Sequence, residues 1–160
     1  MRTIAYNRLA AVAYARRWAL SRNPIYYDFS EIGGNCTNFA SQCIYAGARV
    51  MNFEPTFGWY YLSTDDRSPS WTGVEYLYSF LVNNNSVGPF GRLVGRSRVQ
   101  IGDIIQLGKR DGTFYHSLVV SSTFPRILVC AHSDDYLNRP LDTYTYENIR
   151  FIHIDGVRIE

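Results

Sequence analysis

The chain predicts an α+β domain in which N-terminal helices pack on a C-terminal antiparallel β-sheet. Three observations lead there. Apolar residues recur at helical spacing in three segments of the first half, the last ending at about residue 83. From residue 99 the pattern changes to short runs rich in Ile, Val and Leu. Asp111-Gly112 between the first two of those runs is a hairpin signal, and helices followed by strands imply an antiparallel sheet rather than a doubly wound one. The 160 residues suit a single domain spanning 1–160, large enough to fold without a disulfide or metal staple.

Each element has its own signal. Thr3 is placed to cap a first helix whose broad apolar face holds Tyr6, Leu9, Ala10, Ala13 and Tyr14, closed by Asn23-Pro24. Gly33-Gly34-Asn35 announces a second helix with Asn35 as N-cap. Cys36, Phe39, Ala40, Cys43 and Ile44 then form one stripe, and Gly47 is a stop. Residues 48–70 read as a long aromatic loop, which in a small domain is more often functional than idle. A third helix fits Val74, Leu77, Tyr78 and Leu81, and Asn84 through Gly95 reads as loop. Strands are expected at Asp103–Leu107, Tyr115–Ser121, Arg126–His132 and Asn148–Ile154.

Composition narrows the function classes. Hydrophobic residues are 46% and charged residues 19%, which excludes an intrinsically disordered chain. The net charge is +2 and the basic residues are scattered, so the expected partners do not include nucleic acid. No apolar run approaches the roughly 20 residues of a membrane span, and the polar start lacks the core of a signal peptide. The expectation is a soluble protein without membrane insertion and with no visible export address. Its oligomeric state is not legible. Three cysteines without C-x-x-C spacing argue against a disulfide framework and a zinc ribbon, and no cofactor or metal is expected.

Any nucleophile–base pair must come from Cys36, Cys43, Cys130, His116, His132 and His153. Cys36 falls in the first turn of the second helix, where free N–H groups and the helix dipole favour a thiolate and supply donors for an oxyanion. It also simply opens an apolar stripe, and free cysteines are among the most buried residues. Both readings stand on local sequence. Cys43 and Cys130 read as core. His116 opens a strand on the sheet rim, where a general base would face a helix packed on that sheet. His132 ends the next strand, so antiparallel pairing permits it to orient His116. Core or edge packing is the alternative for both, and His153 reads as solvent-facing. Trp59, Tyr60, Tyr61 and Trp71 either contact substrate or pin the long loop to the core. Arg92 and Arg96 either meet substrate carboxylates or lie on a solvated loop.

A helix-start cysteine in Asn35-Cys36-Thr37-Asn38-Phe39, then Gly102-Asp103-Ile104-Ile105-Gln106-Leu107, then His116-Ser117-Leu118-Val119-Val120 resembles the papain-like fold. Within it the order resembles the NlpC-type and CHAP cell-wall hydrolases. More of the chain, roughly residues 4–157, resembles the putative amidase domain of Firmicute bacteria. The specific part is Asn35-Cys36-Thr37-Asn38-Phe39-Ala40-Ser41-Gln42, supported by Gly58-Trp59-Tyr60-Tyr61, Ser70-Trp71-Thr72 and Ala131-His132-Ser133.

The resemblance implies a papain-like cysteine amidase or endopeptidase acting on peptidoglycan stem peptides, and hence an address in the cell envelope or spore. Cys36 would attack the carbonyl, His116 would carry the proton and His132 would orient His116, with Asp134 or Asp135 close by as substitutes. Plant-type papain relatives carry a glutamine six positions before the cysteine. Ser30 stands there instead, leaving Asp28 through a water, or backbone alone, to assist the oxyanion. Two other functions fit the same fold: a non-catalytic wall-binding module using an aromatic groove, and a protein-directed cysteine acyl-transfer enzyme.

Overall fold

The computed structural model describes all 160 residues. The N-terminus departs from the expected helix. Arg2–Ile4 form strand β1, and helix α1 (Arg8–Trp18) begins only after Asn7, whose Oδ1 accepts the Ala10 N–H at 3.0 Å. Thr3 is therefore in a strand and Asn7 is the cap. Tyr6, instead of lying on the helix face, turns inward ahead of it and donates its hydroxyl to the Gly102 carbonyl at 2.9 Å.

Helix α2 (Cys36–Ala48) carries the predicted stripe: Phe39, Ala40, Cys43 and Ile44 have no exposure, and most of the remaining helix is buried as well. Such a helix is surrounded on all sides. It ends one residue beyond the expected stop, where Arg49 adopts a left-handed φ of 61° and its N–H closes on the Tyr45 carbonyl. Gly47 serves close approach instead: a Cβ there would stand 2.6 Å from the Tyr6 ring and 2.7 Å from the Asn7 carbonyl.

The segment expected as a long loop is mostly irregular but contains short paired and helical pieces. Asn52 bridges Trp59, β2 (Tyr61–Ser63) pairs with β3 (Asp66–Arg67), and a short α3 (Pro69–Thr72) leads into α4 (Val74–Asn83). Strand β4 (Gly88–Val94) occupies part of the second expected loop. Strands β5 (Ile104–Gly108), β6 (Phe114–Ser122), β7 (Leu128–Ala131), β8 (Tyr136–Pro140) and β9 (Asn148–Ile159) follow. Four of these match expected strands, whereas β4 and β8, which mix turn formers with polar residues, gave no alternating signal.

Every strand pair is antiparallel, in the order β1-β9-β5-β6-β7-β8 with β4 also on β9. The fold class is thus α+β with an antiparallel sheet, as the change of period predicts. Both sheet faces are covered. Ile104, Val119, Cys130, Ile152 and Ile154 join the helices in one core, while Ile105, Leu107, Leu118, Val120 and Phe151 build a second core on the other face. That two-sided burial is why β5 reads as an apolar run interrupted only by Gln106 rather than an alternating one.

A buried and fully hydrogen-bonded charge holds these layers in register. Asp103 has no exposure, and each of its carboxylate oxygens accepts two hydrogen bonds. Oδ1 takes Arg8 Nη1 at 2.7 Å and the Ile154 N–H at 3.0 Å. Oδ2 takes the Gln100 N–H and His153 Nδ1, each at 2.8 Å. His153 is accordingly not solvent-facing: a carboxylate only accepts, so Nδ1 carries the proton and the ring is committed to this cluster. Arg8 also donates to the Ile101 and Ile154 carbonyls at 3.0 and 2.6 Å, so α1 is bolted to both β9 and the turn before β5.

Removing a buried carboxylate strands the partly buried Arg8 guanidinium and leaves three further buried donors unpaired, which costs about 3–5 kcal/mol. Asp103→Ala is therefore expected to lower unfolding free energy by that amount in urea titration. Arg110→Ala, which removes a 4.0 Å surface pair with Glu147, should change it by no more than about 0.5 kcal/mol.

Candidate active site

Residues 29–35 set the approach to α2. Gly33 and Gly34 take φ values of 84° and 98°, left-handed conformations that glycine adopts without strain, and they deliver the chain to Asn35. Asn35 is the N-cap residue by position, but its side chain makes no capping bond. Its Oδ1 accepts the Phe29 N–H and Asn38 Nδ2, each at 2.9 Å. The amide orientation is fixed by those two donors, so Nδ2 points the other way, at 2.9 Å from His132 Nδ1.

All three thiols are free; Cys43 and Cys130 are buried, as the sequence predicts, and Cys36 alone is partly exposed. Burial pushes the Cys43 and Cys130 thiols above their ordinary range. The Cys36 sulfur lies 3.7 Å from its neighbour's hydroxyl, Thr37 Oγ1, which in turn lies 3.0 Å from Ser117 Oγ on β6. This contact joins the residues that immediately follow Cys36 and His116, so it draws those two stretches together. No hydrogen bond links the sulfur to the imidazole.

His116 pairs with Leu107 across β5 and β6, and so shares its sheet face with Leu107 and Leu118; Ser117, one residue on, is the side chain that meets α2. The imidazole ring centre is 6.3 Å from that of Tyr144. Burial, and then the charge of Arg139, push its pKa down to about 4, against a smaller upward pull from Asp134. The ring is therefore neutral near pH 7 and free to accept a proton.

His132 does not orient His116. It is 1% exposed and stacked on Phe39 with ring centres 4.0 Å apart, and both ring nitrogens are spoken for. Nε2 donates to the Trp18 carbonyl at 2.8 Å, which leaves Nδ1 as the acceptor for Asn35. Burial holds its pKa below the ordinary histidine value, and Arg22, with Nη1 3.2 Å from Nε2, works in the same direction against the Trp18 bond. Asp135 is likewise occupied, holding Arg22 at 2.9 and 3.0 Å. Asp28 accepts from Ser30 and pairs with Arg22.

The aromatic expectation is corrected at two positions. Trp59 and Trp71 have no exposure and cannot stack on a substrate. Their indole N–H groups donate to Ser41 Oγ and Asn38 Oδ1 on α2, at 3.1 and 3.0 Å. They pin the long segment to the helix that bears Cys36, which was the packing alternative. Tyr60 is partly exposed against Phe53. Arg92 pairs with Asp155 at 3.3 Å, and Arg96 lies over Phe151. Sequence reasoning missed Thr37, Ser117 and Gln106 altogether. The available signal was a polar Gln106 and Ser117 inside otherwise apolar strands, which demands partners. No three His, Cys, Asp or Glu side chains group as a metal site.

Residues 5–154 match the family model described as Putative amidase domain. The Uncharacterized protein YhbB of Bacillus subtilis (strain 168) is 35% identical over 122 residues, 74% of this chain. The match spans only 38% of that relative's length. No solved structure matches. With the family model covering almost its entire length, the chain belongs to the putative amidase domain family, whose name denotes hydrolysis of amide bonds.

Proposed function

We propose that the domain is a papain-like cysteine hydrolase that cleaves an amide bond in a peptide, with Cys36 as nucleophile and His116 as general base. The observation that carries this reading is the exposure pattern of the thiols. Of three, only Cys36 reaches solvent, and it does so at the first turn of a 13-residue helix, where backbone N–H groups are unpaired. Further support comes from the Thr37–Ser117 contact, which sets the Cys36 and His116 stretches side by side, and from membership of an amidase family.

In the reaction, Cys36 Sγ would form a bond to the carbonyl carbon while its proton passes to neutral His116. The imidazolium would return that proton to the departing amine as the C–N bond breaks. Water activated by His116 would then release the acid and restore the thiol. The helix-terminal N–H groups are the donors for the oxyanion, because Asp28 is committed to Arg22 and Ser30. Asp134, whose charge pulls the His116 pKa upward, is the acidic group assigned to support the imidazolium. Bacterial wall stem peptides are the substrate class, on the resemblance of the Asn35–Gln42 run to wall hydrolases, with a partly exposed Tyr60 as the remaining aromatic contact.

Iodoacetamide near neutral pH should modify Cys36 well ahead of the two buried thiols, and Cys36→Ala should lose release of new amino groups from purified wall by about 10³-fold or more. Equal alkylation of all three thiols, or undiminished release by the variant, rejects the nucleophile assignment.

The acid limb of kcat/KM should fall near pH 4, where His116 becomes protonated, rather than near 6.5. Arg139→Gln removes a charge that lowers the pKa and should move the limb up, while Asp134→Asn should move it down. The same group makes folding pH-dependent. An imidazole at about 4 in the fold and 6.5 when unfolded binds its proton first in the unfolded chain. Stability present above pH 6.5 is therefore lost as pH falls towards 4, by about 3 kcal/mol in all. Urea titrations at pH 7 and pH 4.5 should show that loss in the parent and a smaller one in His116→Phe.

A further inference from the structure

A buried chain of polar groups runs from Arg150 on β9 to the Cys36 sulfur, and its direction can be worked out. Arg150 Nε and Nη2 both donate to Gln106 Oε1, at 2.8 and 2.6 Å. A guanidinium never accepts, so the atom facing it is the amide oxygen and Gln106 Nε2 faces the other way. Nε2 donates to the Val74 carbonyl at 3.0 Å and to Ser117 Oγ at 3.2 Å. Ser117, 1% exposed, has one proton left and one remaining neighbour, Thr37 Oγ1 at 3.0 Å. Were Thr37 to donate to Ser117 instead, the serine proton would be buried with no acceptor, a cost of about 1–3 kcal/mol. Ser117 therefore donates to Thr37, and the Thr37 proton is free for the sulfur, 3.7 Å away.

We propose that Gln106, Ser117 and Thr37 form a one-way donor relay ending on Cys36 Sγ, and that they act as positioning residues which stabilise its thiolate. The relay deepens the cysteine-hydrolase reading and rests on it for its purpose, though not for its geometry. Its origin is held rigidly. The Arg150 guanidinium carbon lies 3.7 and 3.8 Å from the ring centres of Tyr78 and Phe114, and Nη2 donates to Glu75 at 2.5 Å. A fixed cation thus polarises the amide, and each hydroxyl passes that polarity on. The arrangement suits a site whose base is a weakly basic imidazole, because the thiol must give up its proton with little help from the acceptor.

Two substitutions probe the direction as well as the existence of the relay. Thr37→Val removes the terminal donor while keeping shape, and Thr37→Ser restores it. Gln106→Glu keeps the partner for Arg150 but turns a carboxylate oxygen towards Ser117. The serine proton is then drawn away, and Thr37 donates to Ser117 rather than to sulfur.

At pH 7, the second-order rate of iodoacetamide with Cys36, mapped by mass spectrometry, should fall about five- to tenfold in Thr37→Val and in Gln106→Glu. Thiolate ultraviolet absorbance should fall in parallel, and Thr37→Ser should return both to the parent values. Parent-like rates in variants that melt as the parent does overturn the relay. If Gln106→Glu does not fold, the contrast between Thr37→Val and Thr37→Ser decides alone. Amide release is measured separately: slow alkylation in the variants together with full activity of Cys36→Ala would keep the relay and reject the hydrolase reading.

Discussion

A single carboxylate with no access to water organises this domain. Asp103 takes four donors from three places in the chain: Arg8 at the start of α1, Gln100 in the turn before β5, and His153 with Ile154 in β9. Burying a charge is costly unless every lone pair is met, and here the four bonds meet the demand. Because the four donors come from a helix, a turn and a strand, the carboxylate can be satisfied only when all three are in their native relation. It is a specificity device as much as a source of stability.

From that clamp the remaining geometry follows in short steps. β5 leaves Asp103 with Ile104 toward the helices and Ile105 toward the second core, and antiparallel pairing passes this alternation to β6. Ser117 consequently meets α2, and His116 lies on the opposite face of the sheet beside Tyr144. On the helix side, Trp59 and Trp71 spend their indole protons on α2. His132 spends its acceptor on Asn35, the residue before the exposed thiol. The groups around Cys36 are thus fixed mainly by side chains that never touch solvent.

The fold class was legible because it rests on periodicity: the helical stripe of α2 and the apolar runs of β5, β6, β7 and β9 are all local patterns. What was not legible depended on distant partners. Thr3 is a good cap by type, yet residues 2–4 pair with residues 157–159 and the capping role passes to Asn7. β4 and β8 carry Gly, Pro, Arg and Asn, and are strands because a neighbouring edge needs them. His153 differs from an exposed strand residue only through Asp103, fifty positions earlier. At the site, the helix-start position of Cys36 sets it apart from the two core thiols, and it alone is partly exposed. The spacing of His116 and His132 permitted a contact that His132 does not make, since Trp18 and Asn35 claim its nitrogens. Nothing in local sequence distinguishes a tryptophan that binds ligand from one that fastens a loop.

Strand β9 has a consequence of a different kind, in time rather than in space. Its twelve residues supply pairing partners to β1, β4 and β5 at once, with register pairs as remote as Arg2 with Ile159. Contacts of such long sequence separation must pay loop-closure entropy before they are rewarded, so they form late and slowly. As the chain leaves the ribosome, the helices and the stretch bearing Cys36 emerge well before the strand that closes the sheet. Until then β1 and β4 are unpaired ribbons and Asp103 lacks half its donors. The helix bearing Cys36 is made early, but its surroundings are assembled last, by a strand whose Arg150 anchors the polar chain that ends on that thiol.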